Sequence, residues 1–328
     1  MRVLVTGGAG FIGSNFVHYS LQNFTKDEIV VLDKLTYAAN FENIKGLLKN
    51  RNFKFIKGDI CNRKLIEKIL KEGVDAIINF AAETHVDRSI GFPSDFVNTN
   101  IVGTFTLLDA ARKFDVDKFE QISTDEVYGS SQLDSFKETD RFNPSSPYAA
   151  SKAAADELVH SYWITYKLPV VITRSTNNYG PYQHLEKFIP KMITNIINNI
   201  SLPIYGDGQN IRSWIFVLDN CAAIKFVLDN AKLGEIYNVC GKNELANIEI
   251  VRLILKEMKK SESMIRFVKD RPGHDRRYSL DCDKLKKLGW QSKTEFNDGI
   301  RKTINWYLEN ESLWKKLENP NLEKIRFG

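Results

Sequence analysis

The chain has 328 residues, 43% of them hydrophobic and 27% charged, and its 46 Lys and Arg against 41 Asp and Glu give a net charge of +5. That length buries a real core in one large or two modest domains, and the composition is that of a globular protein rather than a disordered or fibrous one. The positive excess is mild and no Lys/Arg block is long enough to demand nucleic acid; no run of 18 apolar residues exists to span a membrane. Strand-like sequence begins at Arg2, which leaves no room for a charged n-region followed by an apolar h-region, so no targeting leader is expected. Cys61, Cys221, Cys240 and Cys282 are far apart and show no CxxC pairing, and the five histidines show no metal spacing. The expectation is therefore no metal, no disulfide framework and a reduced, cytoplasmic setting.

In chain order, short apolar runs predict strands at 2–6, 28–32, 53–57, 74–80, 118–123 and 169–174. Helical spacing falls between them, near 12–22, 62–71, 94–114 and 147–167. Continuous apolar strands alternating with helices predict a parallel sheet covered on both faces, the α/β, Rossmann-type doubly wound fold. After about residue 180 the pattern loosens into helices near 186–199, 218–231, 247–260 and 297–309, with strand-like pieces at 212–217 and 235–239. The predicted division is a dinucleotide-binding domain over 1–177, to which 212–240 returns. A smaller, interleaved substrate domain takes 178–211 and 241–328.

The first strand runs directly into TGGAGFIG, residues 6–13. Glycines at this spacing make the tight strand-to-helix turn, admit backbone close to a pyrophosphate and let the helix pack on the strand; the helix N-terminus then faces the phosphates. Asp33 ends the next strand, 20 residues after Gly13, where an acid accepts the ribose hydroxyls of NAD and repels the 2′-phosphate of NADP.

The strand KFEQIS (118–123) ends in Thr124, Asp125 and Glu126. Two like charges side by side at the end of a buried strand are either a solvated turn or a functional pair, in which one carboxyl is pushed to stay protonated. Tyr148 and Lys152 follow at i, i+4 on a helical stretch, one turn apart. An ammonium beside a phenol favours the phenolate, a usable general base for a sugar hydroxyl.

TGGAGFIG, STDEVYG and YAASK together resemble the extended short-chain dehydrogenase/reductases. VLDKLTYAAN (31–40), NFAAETHVDRSI (79–90), NNYGPYQ (177–183), EKFIP (186–190), YGDGQNIRSW (205–214) and DRPGHDRRY (270–278) narrow the resemblance to the dTDP-glucose 4,6-dehydratase family. The resemblance implies an NAD-dependent hydro-lyase that holds its NAD tightly and forms a 4-keto-6-deoxy sugar on a deoxysugar route such as dTDP-rhamnose and polysaccharide biosynthesis. It implies Asp125 as the acid toward the C6 oxygen, Glu126 as the base at C5, and Thr124 beside Tyr148 at the C4 oxygen, with Lys152 completing the set. Gly7, Gly10, Phe11, Ile12, Gly13, Asp33, Lys34, Thr36, Asp59, Ile60, Phe80, Ala81, Ala82, Thr84, Thr99 and Asn178 are the implied cofactor contacts, with Tyr148 and Lys152. The implied substrate contacts are Thr84, His85, Thr124, Asn177, Lys187, Phe188, Ile189, Pro190, Pro203, Tyr205, Arg212, Asn247, Asp270, Arg271 and His274. A homodimer through a four-helix bundle of helices 94–114 and 147–167 is also implied. Ala39, His184-Leu185, Ser213 and Leu218-Asp219-Asn220 depart from the family pattern, away from the implied catalytic groups. Another nucleotide-sugar dehydratase acting on a UDP-, CDP- or GDP-sugar is the alternative, with an epimerase behind it; epimerases of the superfamily lack the Asp-Glu pair.

Overall fold

The computed structural model describes residues 1–131, 134–270 and 275–318. Along them the strands are β1 (Arg2–Thr6), β2 (Glu28–Asp33), β3 (Phe53–Lys57), β4 (Ala76–Asn79), β5 (Lys118–Thr124), β6 (Val170–Ser175) and β7 (Asn177–Tyr179). They continue with β8 (Leu202–Tyr205), β9 (Ile211–Phe216), β10 (Ile236–Val239), β11 (Asn243–Ala246), β12 (Ile265–Val268) and β13 (Arg277–Tyr278).

Seven of these form a wholly parallel sheet in the order β10-β6-β5-β4-β1-β2-β3. The inner strands β1, β2 and β4 are apolar over most of their length because both faces are covered. Leu4, Val30, Leu32, Ile77 and Phe119 face one core under the helices Arg63–Lys71, Thr104–Lys113 and Pro147–Tyr166. Their neighbours one residue along, Val3, Val5, Val31 and Ile78, face the other, under Phe11–Asn23 and Val217–Asn230. The period of two in strand side chains produces this division. The chain winds one way through β1 to β3 and the other way through β4 to β6. The strand order therefore reverses between β1 and β4, where an open α/β sheet offers a crevice at its carboxyl edge.

The Pro147–Tyr166 helix starts at a defined residue. Ser146 accepts the Ala149 N–H at its N-cap and Pro147 occupies the first turn, where its missing N–H costs nothing. This cap places Tyr148 in the first turn and Lys152 one turn later.

A second layer lies beyond the sheet. β9 pairs with β7, β11 and β13, and β8 pairs with β12. The helices Phe188–Ile197, Asn247–Glu257 and Phe296–Glu309 close over these strands around Met192, Ile193, Ile254, Ile300 and Tyr307. Asp219 ties the two regions, accepting from Ser292 and Thr294 hydroxyls and from the Lys293 and Thr294 N–H groups.

Two expectations are corrected. The single helix expected over 94–114 is a helical turn at Pro93–Phe96, a π-helical stretch at Val97–Gly103 and an α-helix at Thr104–Lys113. Widened turns of this kind lie outside a 3.6-residue pattern and gather at functional sites; this one carries Thr99 and Asn100 toward the sheet edge. The expectation of no disulfide is also corrected, because Cys240 and Cys282 form one across 42 residues while Cys61 and Cys221 are free. Cys240 follows β10 and Cys282 follows β13, so only the tertiary fold brings them together. Arg271 and His274 lie outside the described residues.

Candidate active site

At the crevice the loop after β1 bends sharply. Gly7 takes φ +68°, and a Cβ there would stand 2.7 Å from the Ala81 nitrogen on the neighbouring β4 loop. At Gly13 a Cβ would stand 2.3 Å from the Gly7 carbonyl oxygen, so the first helix touches its own loop and leaves its N-terminus open to a phosphate. Asp33 closes the far side. Its carboxylate accepts the Ala9 N–H at 2.9 Å and the Leu35 N–H at 2.7 Å, and burial still holds its pKa above the usual range. Lys34 pairs with Asp59 at 2.8 Å beside it.

This crevice is one cavity of about 300 Å³. Gly7, Gly10, Phe11, Ile12, Gly13, Asp33, Lys34, Thr36, Asp59, Ile60, Phe80, Ala81, Ala82, Thr84, Thr99 and Asn178 line it. Thr124, Asp125, Glu126, Tyr148, Lys152, Asn177 and Lys187 line the same cavity. A dinucleotide fits this donor set: a glycine cradle and helix N-terminus for phosphates, an acid at the second strand, and a polar cluster at the other end.

That cluster is tightly bonded. The Thr124 hydroxyl donates to Asp125 Oδ1 at 3.2 Å, accepts the Glu126 N–H at 3.3 Å, and hydrogen-bonds the Tyr148 phenol. Asp125 is buried, and burial, reinforced by the Glu126 charge, pushes its carboxyl up to about 7. Lys152 is also buried. Burial lowers its ammonium to about 8, against the opposing pull of Asp156, and Nζ donates to the Ile122 carbonyl at 2.6 Å. Tyr148 differs from the simple expectation of a phenol lowered by its lysine. Burial first, and the Glu126 charge second, raise it well above the usual phenol range, with only the Thr124 hydrogen bond lowering it. The lysine is held by a β5 carbonyl, and two acidic neighbours face the phenol instead.

The expected substrate side is more dispersed. Lys187 Nζ donates to the Thr84 carbonyl at 3.2 Å, and His85 Nε2 lies 3.6 Å from Glu186. Arg212 is buried on β9, with its guanidinium 4.3 Å over the Tyr278 ring and Nη2 donating to the Asp275 carbonyl. Its charge reaches Asp125, which it lowers. Asn247 opens its helix beside Asn210, accepting no cavity position, and Pro203 and Tyr205 lie on β8 with Tyr205 exposed. Asp270 approaches the Gly206 turn that follows β8. Ile189 does not reach the cavity: it is buried with Met192, Ile193 and Ile196 in the second core, and Pro190 is buried beside it. The apolar face of their helix turns both side chains inward.

The sequence reading omitted Glu83, Ser175, Thr176, Gln183, His184 and Glu186, all on the cavity wall. Glu83 is held through its backbone by Asn100, which also donates to Ser151 at 2.8 Å, and burial raises its carboxyl. Glu83 stands inside the quoted NFAAETHVDRSI block, where an acid among apolar residues was the available signal.

The fold and the site define an extended short-chain dehydrogenase/reductase. A family model described as GDP-mannose 4,6 dehydratase matches residues 4–303. The low-salt glycan biosynthesis protein Agl12 of Haloferax volcanii is 52% identical over 94% of this chain and 99% of its own. A dTDP-glucose 4,6-dehydratase of Streptomyces niveus is 47% identical over 98% and 97%. The crystal structure of DesIV, a dTDP-glucose 4,6-dehydratase from Streptomyces venezuelae with NAD bound, superposes with a TM-score of 0.94 at 47% identity, covering 97% of this chain and all of that one. The chain belongs to the dTDP-glucose 4,6-dehydratase family.

Replacing Glu126 with Gln removes the like charge beside Asp125 while leaving it buried. The Asp125 titration midpoint is expected to fall below about 7 and to stay above the ordinary carboxylate range. Carbon NMR of Asp-labelled protein reads it, and an unmoved midpoint would show that burial alone sets the value.

Proposed function

We propose that this protein is a dTDP-glucose 4,6-dehydratase that converts dTDP-glucose to dTDP-4-keto-6-deoxyglucose, with NAD in the crevice between the TGGAGFIG loop and Asp33. The observation that carries the reading is the Thr124-Asp125-Glu126 turn, set at the end of β5 in one cavity with Tyr148 and Lys152. NAD held by the TGGAGFIG loop and Asp33 would supply the hydride acceptor for C4 and the hydride donor for C6, so no oxidant would be consumed overall.

Tyr148 accepts the C4 hydroxyl proton as that oxidation proceeds, with Thr124 hydrogen-bonded to the same oxygen. Tyr148 enters this step as the phenolate, which the Thr124 hydrogen bond favours and the Glu126 charge opposes, while Lys152 stands one turn away with Nζ on the Ile122 carbonyl. Once C4 is a ketone, the C5 proton is acidic because the resulting anion is an enolate. Glu126 removes that proton, and Asp125 donates its own to the C6 oxygen as the C6–O bond breaks and water leaves. The two neighbouring carboxyls need opposite protonation for this, and the burial of Asp125 beside Glu126 supplies the split. Glu126 then returns a proton to C5 when the hydride reaches C6. Simple C4 epimerisation has no use for this acid–base pair, which favours elimination.

Arg212, Lys187 and the β8 edge form the nucleotide side, where a planar guanidinium suits a diphosphate. Thymidine is the favoured base because the named dehydratase relatives carry dTDP in their names. The product enters a deoxysugar route, such as dTDP-rhamnose and polysaccharide biosynthesis, in the cytoplasm. Among the described residues, no helix is long and apolar enough to cross a membrane.

A homodimer completes the proposal. Phe96, Leu107, Leu108, Ala149 and Ala153 are buried within the chain. Val97, Val102, Phe105, Ile164 and Tyr166 remain exposed on the same two helical segments, apolar side chains that a second copy of the chain would cover.

Mixing enzyme and substrate in a stopped-flow instrument tests the assignments. Tyr148→Phe is expected to stop the initial oxidation, with no NADH absorbance. Glu126→Gln is expected to oxidise C4 and stall, with NADH absorbance accumulating and turnover falling about 100-fold or more. The reverse pattern would exchange the two roles. With dTDP-, UDP-, CDP- and GDP-glucose compared, the dTDP sugar is expected to give the 4-keto product fastest; a faster UDP sugar would overturn the base assignment. Light scattering at micromolar protein is expected to give twice the 37.6 kDa chain mass, and a single-chain mass would refute the dimer.

A further inference from the structure

From the cavity wall at Ser123 a second polar cluster, buried, runs back beneath the site, and the reaction above has no use for it. Asp156 follows Lys152 by one turn on the Pro147–Tyr166 helix, so the two share a face. Its Oδ2 accepts from Ser123 Oγ at 2.9 Å and from Arg174 Nε at 2.9 Å. Asp156 and Arg174 are only 1% and 2% exposed. Arg174, on β6, donates from Nη1 to the Tyr128 hydroxyl at 2.7 Å and packs 4.9 Å and 4.5 Å from the Tyr128 and Phe142 rings. The Tyr128 hydroxyl donates onward to Asn238 Oδ1 at 3.0 Å, and Asn238 donates to the Phe136 and Asp281 carbonyls.

The placement of these contacts along the chain matters. Ser123 immediately precedes Thr124-Asp125-Glu126, and Tyr128 follows two residues later. The ion pair therefore holds the reacting turn at both ends. A buried ion pair has no clear stability advantage over apolar residues of the same volume, so packing alone does not account for it.

We infer that Asp156 and Arg174 are positioning residues of this site: their buried ion pair clamps the Thr124–Glu126 turn from behind, at Ser123 and Tyr128, and balances the charge around Lys152. This inference rests on the proposed dehydration. Besides Asp156, Tyr148 on the same helix, Asp125 and Glu126 on the turn and Glu83 on the β4 loop line the cavity with Lys152, and Arg174 pairs with Asp156 from β6. The π-helical turn packed against that helix contributes the uncharged Thr99 and Asn100. Asp156 is the group that pulls the buried Lys152 ammonium upward. Without the carboxylate, Arg174 would stand as an unbalanced cation behind a second cation, and Lys152 would lose its proton at lower pH.

The test compares wild type, Asp156→Asn, Ser123→Ala, Tyr128→Phe and the double variant Asp156→Asn/Arg174→Gln. The readouts are the pH profile of dTDP-glucose turnover and nitrogen NMR titration of labelled lysines, with Lys152 assigned by its loss in Lys152→Met. In Asp156→Asn the Lys152 midpoint and the alkaline limb of turnover are expected to move down together by about one pH unit. The double variant, which removes both charges, is expected to return the limb toward the wild-type position. Ser123→Ala and Tyr128→Phe are expected to lower kcat about tenfold or more with the limb in place, because they loosen the turn without changing charge. A folded Asp156→Asn protein with its Lys152 midpoint unmoved overturns the electrostatic half. Native kcat in both Ser123→Ala and Tyr128→Phe overturns the clamp, and these two decide if Asp156→Asn fails to fold. Wild type that titrates at Lys152 but leaves dTDP-glucose unchanged refutes the proposed function instead, and the Lys152 shift in Asp156→Asn is still read by NMR.

Discussion

Two carboxyl groups stand on consecutive residues at the end of a buried strand, and the buried one, Asp125, gives up its proton only near neutral pH. The rest of the site depends on that constraint. Burial and the Glu126 charge raise Asp125 to about 7, so its carboxyl keeps a proton to higher pH than an ordinary one while it stands beside Glu126. Such a pair is expensive to hold. The cost is offset locally by the Thr124 hydroxyl, which bonds both the Asp125 carboxyl and the Glu126 amide, and by Arg212 approaching from β9. β5 reaches this position because it is a central strand, paired with β4 over Lys118–Gln121 and with β6 from Phe119 through Thr124.

The sheet supplies the second requirement, a place for the hydride carrier next to that pair. Reversal of strand order between β1 and β4 opens the crevice, and the Gly7–Gly13 turn lets backbone form its floor. The Pro147–Tyr166 helix, started by Ser146 and Pro147, then brings a phenol and an ammonium to the junction of the two halves. In each case a short local device fixes a residue in space: a cap, a glycine turn or a hydroxyl bridge. The distances between them are set by the parallel ladder.

Much of this could be read in the sequence because the relevant signals are local. Continuous apolar strands, a glycine turn after β1 and an i, i+4 Tyr-Lys pair each depend on a few adjacent residues. What could not be read depends on contacts far apart in the chain. The short strands β8, β11, β12 and β13 are half-exposed and have no sustained alternation, so their pairing is a tertiary outcome. The Cys240–Cys282 bridge has no spacing signature. The elevation of Tyr148 was missed because spacing shows that Lys152 is near, while only the fold shows that its Nζ is taken by Ile122 and that Glu126 faces the phenol. Ile189 and Pro190 fit a motif by order, yet both are buried, Ile189 in the second core.

The central claim is an internal redox cycle joined to an elimination, and isotopic labelling tests it most directly. dTDP-glucose carrying deuterium at C4 is converted in ordinary water, and the product is examined by proton NMR and mass spectrometry. The deuterium is expected at C6 without loss to solvent, and in deuterated water the unlabelled substrate is expected to gain its solvent deuterium at C5. Loss of the C4 label to water, or a product that keeps deuterium at C4, would contradict it.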